Sequence, residues 1–519
     1  METLLAILLV LIVVAALYEI AGRVGVPYPS LFVLGGLLLG LVPGLPRLTL
    51  EPDLVLLVFL PPLLFAAAFE TPLRDLKRNA WPIVRLSFGL VIVTIVAVAA
   101  VAQLVIPGLG WAGAFTLGAI VAPTDALAAT TVFRRVGVPR VIITLIEGEG
   151  LLNDATALVS YRAAVAAVVG GAIVASDVVG TFLVATVGGA LLGYVVGKVA
   201  GEIVRRLDNP PVEVAISLVI PFGAYLPADR LGLSGVLAAV VAGLVIGRRL
   251  GTILGPGSRV LWLSSWKMIG FVLNGFVFVL IGVQLPDIIR GLSARSPGEL
   301  IGTAVLISAV VVVTRLVWIF LASLLPNTPR RLLARHDAGM AWRLTFVVGW
   351  AGLRGAVSLA AALALPSTFP ERDLILLLTF AVILVTLVGQ GLPLPAVVRW
   401  ARWDGFDLAG DEATLARSTA YRAGLDEIER ARPLWPTHQP LFERLELGLR
   451  DRTQHLASED PEETEERRQE RTEHEEIQRG IIAAERDAVI GLRDRAEIND
   501  QTLRQIEREL DLEELRMEA

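Results

Sequence analysis

Three stretches place ionisable residues inside long apolar runs, where a charge costs several kcal/mol and marks a functional position by default. The densest reads Glu147-Gly-Glu149-Gly150-Leu-Leu-Asn153-Asp154-Ala-Thr156-Ala-Leu-Val-Ser160. Glu149 and Asn153 are four residues apart, as are Gly150 and Asp154, so on a helix each pair shares a face. Carboxylate, amide and backbone carbonyl oxygens are the ligands that a hard cation takes. A carboxylate held out of water can also carry a proton in place of a cation near neutral pH. The structural alternative is an acid neutralised by a neighbouring arginine; it suits Glu147 or Glu149 and leaves Asp154 spare.

The second stretch is Pro123-Thr124-Asp125, in the run Gly118 to Thr130. Pro123 removes a backbone donor in mid-run and obstructs the preceding turn, so a helix is expected to open there. An acid beside that opening can face a helix N-terminus, whose dipole favours negative charge. A proline kink with a capping Asp would be the purely structural version. The third stretch is Gly349-Trp-Ala-Gly352-Leu-Arg354-Gly355-Ala-Val-Ser358, whose glycines point to a second interrupted helix. Arg354 cannot shed its proton, so it needs either a carboxylate or the carbonyls of a helix C-terminus. Arg162, nearer the end of its run, can snorkel.

The elements that must position these residues are membrane spans, each needing roughly 20 mostly apolar residues. Thirteen are expected between 3–20 and 372–398, with 111–133, 141–169 and 340–365 as the fifth, sixth and twelfth. The fold class is thus an all-α polytopic membrane protein of about 13 transmembrane helices with a helical tail. The interrupted spans are seven apart, an odd offset that reverses direction across the membrane. This is the placement of two inverted repeats whose broken helices cross near the midplane. Alternate loops carry the basic residues, including Arg74, Lys77 and Arg78, then Arg134, Arg135 and Arg140, then Arg248, Arg249 and Arg259, and finally Arg330, Arg331 and Arg335. By the positive-inside rule those loops are cytoplasmic, which puts the N-terminus outside and the tail inside the cell membrane.

The chain has 519 residues and a formal net charge of −5. Lys plus Arg number 29 before Asp404 and 17 from it onward, against 20 and 31 for Asp plus Glu, so the two parts carry about +9 and −14. Residues 1–403 read as a transmembrane domain and 404–519 as an acidic helical cytoplasmic domain, with 3–4 spacing over 412–432, 440–457, 462–496 and 500–518. The run from Glu459 to Glu476 reads as a solvated helix rather than an ion-binding tract. There is no cysteine, and the four histidines, His336, His438, His455 and His474, form no metal-ligand spacing. No phosphate loop and no nucleophile–His pair is present, so an enzyme is not expected, nor a nucleic-acid partner or a bound cofactor. Thr3 to Ile20 lacks a basic start and a clear cleavage site and reads as a retained span.

At these stretches the sequence resembles the cation:proton antiporter-1 family, the sodium/proton exchangers and their bacterial NhaP-type relatives. The resemblance is carried by Pro123-Thr124-Asp125, by Glu149-x-x-x-Asn153-Asp154-Ala155 and by Gly352-Leu-Arg354-Gly355, with a weaker match at Phe59-Leu-Pro61-Pro62-Leu-Leu-Phe65. It implies a six-helix ion-carrying core moving against a dimerisation domain, hence a homodimer in lipid. It also implies that Asp154 binds cation and proton in turn. Asn153 and Thr124 would shape the ion site, Asp125 would balance the half-helix dipoles, and Arg354 would pair with Glu149. The Asn-Asp pair resembles the electroneutral branch. Two departures stand out: Gly150 where the family usually has Ser, and Asp125-Ala126 where it often has Asp-Pro.

The expected function is secondary exchange of a monovalent cation, Na⁺ first, for H⁺, serving pH and sodium homeostasis. The alternatives are K⁺/H⁺ exchange and, from another class, a non-transporting membrane sensor signalling through its tail. Such a sensor has no need of Asp125, Asp154 and Arg354 together at mid-membrane. The tail is expected to be regulatory.

Overall fold

The computed structural model describes residues 2–24, 26–42, 52–138, 140–170, 175–291, 295–324, 338–366, 368–401, 408–457, 465–495, 497 and 500–517. The chain divides into two units, Met1–Phe406 and Asp407–Ala519. All regular structure among the described residues is helical. His336 and the basic run Arg330, Arg331 and Arg335 lie outside the described residues.

The first unit holds α1 (Glu2–Val24), α2 (Tyr28–Gly40), α3 (Pro52–Glu70), α4 (Leu90–Val105), α5 (Gly110–Val121) and α6 (Ala126–Val136). It continues with α7 (Arg140–Gly170), α8 (Ala175–Arg205), α9 (Pro210–Arg230), α10 (Gly235–Ile253), α11 (Pro256–Gly291) and α12 (Pro297–Leu324). Last come α13 (Ala338–Trp350), α14 (Ala356–Leu363), α15 (Arg372–Leu384) and α16 (Leu394–Trp400). Helices are the form an apolar chain takes in lipid, because each backbone donor finds its acceptor within the segment.

Helix ends follow local chemistry. Asn209 caps α9, accepting from the Val212 N–H at 3.3 Å, with Pro210 in the first turn. Ser234 caps α10 by accepting from the Leu237 N–H at 3.3 Å. Gly137 closes α6 in the left-handed region at φ 77°.

The thirteen expected spans are not all of one kind. Among the described residues, nine helical segments are long and apolar enough to cross a membrane, counting the interrupted Gly110–Val136 as one. Tyr28–Gly40 and Leu57–Glu70 are shorter apolar helices. The stretch 140–170 carries Arg140, Glu147, Glu149, Asp154 and Arg162, which lowers its hydropathy, and 338–363 is divided between α13 and α14.

Two apolar cores matter for the site. One joins α4 and α5 to α12, α14 and α15 through Val98, Leu117, Ile120, Val311, Ala362 and Leu378. The other packs Trp262 and Trp266 of α11 on Phe65, Phe69, Ile220 and Ile246 from α3, α9 and α10. Two π-helical runs interrupt the regular spans, Arg85–Gly89 before α4 and Val385–Gln390 after α15. Such runs are often found at functional sites.

The second unit contains α17 (Leu408–Ala431), α18 (Gln439–Ala457), α19 (Glu465–Asp494) and α20 (Asp500–Met517). Arg432 reaches Glu446 at 2.5 Å, and Arg486 of α19 reaches both Asp511 (2.8 Å) and Glu514 (2.9 Å) of α20. Hydrogen bonding to Glu514, and then to Asp511, holds the Arg486 guanidinium above its usual range.

Candidate functional site

The two interrupted helices cross. Between α5 and α6, residues Ala122–Asp125 leave helical geometry, as Pro123 dictates; between α13 and α14 the unwound residues end at Arg354 and Gly355. The extended segments join through the backbone, the Asp125 N–H donating to the Leu353 carbonyl at 2.7 Å. Asp125 is the N-cap of α6, and its Oδ1 accepts from the Leu127 N–H at 2.9 Å. Its carboxylate therefore lies where the half-helix dipole is positive. Gly355 makes room for it: a Cβ there would overlap the Asp125 carboxylate.

Arg354, fully buried, satisfies the opposite pole. Its Nε donates to the Val121 carbonyl at the end of α5 (2.7 Å), and its Nη1 to the Gly352 carbonyl (2.8 Å). Its backbone N–H donates to Thr386 Oγ1 at 3.0 Å, in the second π-helical run. The sequence left a carboxylate or helix-end carbonyls as its counterpart, and the structure supplies the carbonyls.

The resemblance implied that Arg354 pairs with Glu149, and this needs correction. Glu149 is paired by Arg315 of α12: Nη1 donates to Oε1, and Nη2 to Oε2 at 3.1 Å. Arg315 also donates to the carbonyls of Gly349 (3.1 Å) and Val348 (3.2 Å), at the end of α13. Each buried arginine thus serves the C-terminal end of one half-helix, and Arg315 is the one whose planar fork meets the carboxylate two-on-two. Gly352 permits this, since a Cβ at 352 would overlap the Arg315 side chain. Arg315 is the functional residue that the sequence reading missed. Its signal was a single arginine in the middle of the apolar run 299–325.

From this pair a chain of hydrogen bonds runs to the remaining candidates. Thr124 Oγ1 donates to Glu149 Oε1 at 2.9 Å and accepts from Asn153 Nδ2 at 2.5 Å. Ser87, in the first π-helical run, donates to the Glu149 carbonyl at 3.2 Å. Glu147 pairs separately with Arg134 at 2.7 Å. Arg162 pairs with Asp229 at 2.5 Å, both side chains nearly half exposed. Asp154 alone among the three acids of α7 has no basic partner among the described residues. It is 8% exposed, and its Oδ1, like Asn153 Oδ1, is buried without a hydrogen-bond partner there.

A cavity of about 580 Å³ is lined by Thr124, Asp125, Asp154 and Ser358 at the crossing. The same lining includes Glu70, Arg134, Glu147 and Lys267. Among the described residues no group of His, Cys, Asp and Glu is arranged to hold a resident metal ion.

The family described as "Sodium/hydrogen exchanger, transmembrane" matches residues 7–400, which contain the whole of this arrangement. The chain belongs to that family. An uncharacterized Na⁺/H⁺ exchanger of Mycobacterium tuberculosis is 36% identical over 499 residues, covering 94% of this chain and 91% of the relative. The low-affinity Na⁺/H⁺ antiporter NhaS1 of Synechocystis is 33% identical over 421 residues, 78% of this chain and 76% of its own. The sodium proton antiporter MjNhaP1 of Methanocaldococcus jannaschii, solved at pH 8, superposes with a TM-score of 0.60 at 20% identity, covering 77% of this chain and 99% of that one. This exchanger-family chain therefore shares its fold with that antiporter. The multi-span architecture is that of a membrane transporter family.

Proposed function

We propose that this exchanger-family protein is a secondary active antiporter that exchanges Na⁺ for H⁺ at Asp154. The observation that carries the reading is Asp154 itself, a cavity-lining residue whose buried Oδ1 has no partner among the described residues, beside a Glu149 already neutralised by Arg315. A buried carboxylate without a partner is costly, so it takes up either a proton or a cation. Binding of one excludes the other, because each removes the negative charge that attracts its competitor. Asp125 sits at the α6 N-terminus and Glu149 is paired by Arg315, which leaves Asp154 as the one carboxyl free to exchange, and the exchange is one for one. Asn153 and Thr124 shape the site: the Asn153 amide is fixed by Thr124 Oγ1, which leaves its carbonyl oxygen free of partners among the described residues.

The cavity reaches the end carrying Arg134 and Lys267, in the cytoplasmic orientation that the basic loops support. The form described is then the inward-facing one, with the tail inside the cell membrane and the α1 N-terminus outside. Exposed apolar side chains at one-turn intervals on α8, Leu183, Val187, Leu191, Val195 and Val199, suit lipid or a second subunit, and a homodimer is proposed. Relatives named as Na⁺/H⁺ antiporters support sodium as the transported cation. No cofactor enters the scheme, and the cycle makes and breaks no covalent bond.

The test is exchange in proteoliposomes containing a pH-sensitive dye. A proton gradient should be discharged on adding Na⁺ to the wild type and not to Asp154→Asn, which keeps the shape and loses the titrating charge. Wild-type rates in that variant would end the proposal. Addition of K⁺ in a parallel arm tests the alternative cation.

A further inference from the structure

Ser358 is the third residue of α14 and is 1% exposed. Its Oγ has no hydrogen-bond partner among the described residues, and the residue lines the cavity that holds Asp154. Several other buried hydroxyls spend themselves on the carbonyl one turn back, Thr116 on Ala112, Thr156 on Leu152 and Ser308 on Ala304. That habit is general for serine and threonine within helices. Thr94 and Thr379 share the lack of a partner among the described residues but do not line this cavity. For Ser358 the residue four back is Arg354, in the unwound segment, and the residue three back is Gly355, at φ −149° and ψ −142°. The Gly355 carbonyl already accepts from the Leu359 N–H at 3.4 Å. The break that seats Asp125 thus also deprives Ser358 of its local acceptor, leaving a costly unpaired hydroxyl on a residue that lines the ion cavity.

The opposite wall is short of oxygens. Gly150, one turn before Asp154, contributes no side chain, and a Cβ there would lie 2.8 Å from the Ala126 Cβ. Thr124 Oγ1 is committed to Glu149 and Asn153, and Asp125 Oδ1 to the Leu127 N–H. Asp154 therefore faces the ion with few companions, whereas a hard cation stripped of water takes several oxygen ligands.

We propose that Ser358 supplies a hydroxyl-oxygen ligand to the transported monovalent cation, from the half of the protein opposite Asp154. This rests on the reading of Asp154 as the exchange site. The ligand is neutral, so it changes the affinity for the cation and leaves the one-for-one stoichiometry intact. With Asp154 on α7 and Ser358 on α14, the ion bridges two elements whose separation fits one ionic radius better than another. Loss of the hydroxyl therefore shifts the preference between Na⁺ and Li⁺.

The test measures apparent KM for Na⁺ and for Li⁺ at fixed pH, with full-length protein in proteoliposomes. Ser358→Ala should raise the Na⁺ KM about tenfold, the scale of one hydrogen-bond-strength contact to a charge, and change the Na⁺:Li⁺ ratio of KM values. Ser358→Thr, which keeps the hydroxyl, should stay close to wild type. Ser358→Cys keeps the shape with a poor ligand for hard cations and should resemble Ser358→Ala. For a variant that does not transport, the Na⁺ concentration that raises the melting temperature in detergent gives the same comparison, because a ligand bound only by the folded state stabilises it. Unchanged KM in Ser358→Ala, or equal weakening of both ions in the alanine and threonine variants, overturns the proposal. Asp154→Asn is run alongside: if it still exchanges, the exchange-site reading fails, whereas unchanged KM in Ser358→Ala beside an inactive Asp154→Asn removes Ser358 alone.

Discussion

Arg315 and Glu149, 166 residues apart in sequence, meet two-on-two with both side chains buried, and the same guanidinium serves the last carbonyls of α13. The pair ties α7, which carries Asp154, to α12 and to one of the crossing half-helices. On the proposed reading it also leaves Asp154, rather than Glu149, to take the ion.

Breaking this pair from one side should destabilise the fold. Removing one partner of a buried ion pair costs about 3–5 kcal/mol, because the other charge is left uncompensated. Arg315→Ala should therefore lower the melting temperature in detergent and abolish exchange. Arg315→Lys should recover only part of both, since a point charge cannot reproduce the fork. The double variant Arg315→Leu with Glu149→Gln should be more stable than Arg315→Ala alone. An Arg315→Ala protein melting with the wild type would contradict the pairing.

The crossing itself predicts a steric effect. A methyl at Gly355 would overlap the Asp125 carboxylate, whereas Gly255, in the turn before α11, has open space around its Cβ position. Gly355→Ala should strip most of the exchange activity, and Gly255→Ala should leave it near wild type. Equal activity in the two variants would mean that Asp125 moves aside freely.

Much of this was legible in the sequence because membrane burial makes each exception visible. Pro123 and Asp125 announced a break, and Glu147, Glu149 and Asp154 stood out against apolar neighbours. The sequence offers an arginine partner for Glu147 or Glu149 with Asp154 left spare; that both acids are paired, by Arg134 and by Arg315, is seen only in the fold. What stayed hidden was partnership. Arg315 lies in a run with no other candidate residue, and nothing local says that α12 reaches Glu149. The family resemblance gives Arg354 the acid, while the carbonyls of Val121 and Gly352 become available only where both helices open. The orphaned Ser358 hydroxyl is hidden for the same reason: its lost acceptor follows from unwinding at 352–355, not from composition.

Electroneutral exchange is the outcome expected from the charge pairing. With Glu149 held by Arg315, Asp125 held by the α6 N-terminus and an amide at position 153, one carboxyl per cycle exchanges its proton for one cation. Imposing a membrane potential with valinomycin and K⁺ gradients, in vesicles with clamped pH, should leave the Na⁺-driven rate unchanged. A rate that follows the potential would require a second titrating acid, with Asp125 the first to examine by substitution with Asn.

The last prediction concerns the acidic tail. Every residue of the proposed ion path lies before Trp400, within the unit Met1–Phe406. The tail forms a unit with its own ion pairs, Arg432 with Glu446 and Arg486 with Asp511 and Glu514. None of α17–α20 is apolar enough to cross a bilayer, yet Leu415, Trp435, Leu447, Ile477, Ile481 and Leu512 stay exposed on them. A charged segment with such faces and a net charge near −14 is suited to engage a partner surface, more weakly at high salt. That is the character of a regulatory element rather than of a transport path. Protein truncated after Arg402 and reconstituted should exchange Na⁺ for H⁺ with a shifted pH profile. If the wild-type profile steepens at low salt and the truncated one does not, the tail acts through charge. A correctly folded truncation that is silent at every pH would place an essential step of transport in the tail and overturn this modular reading.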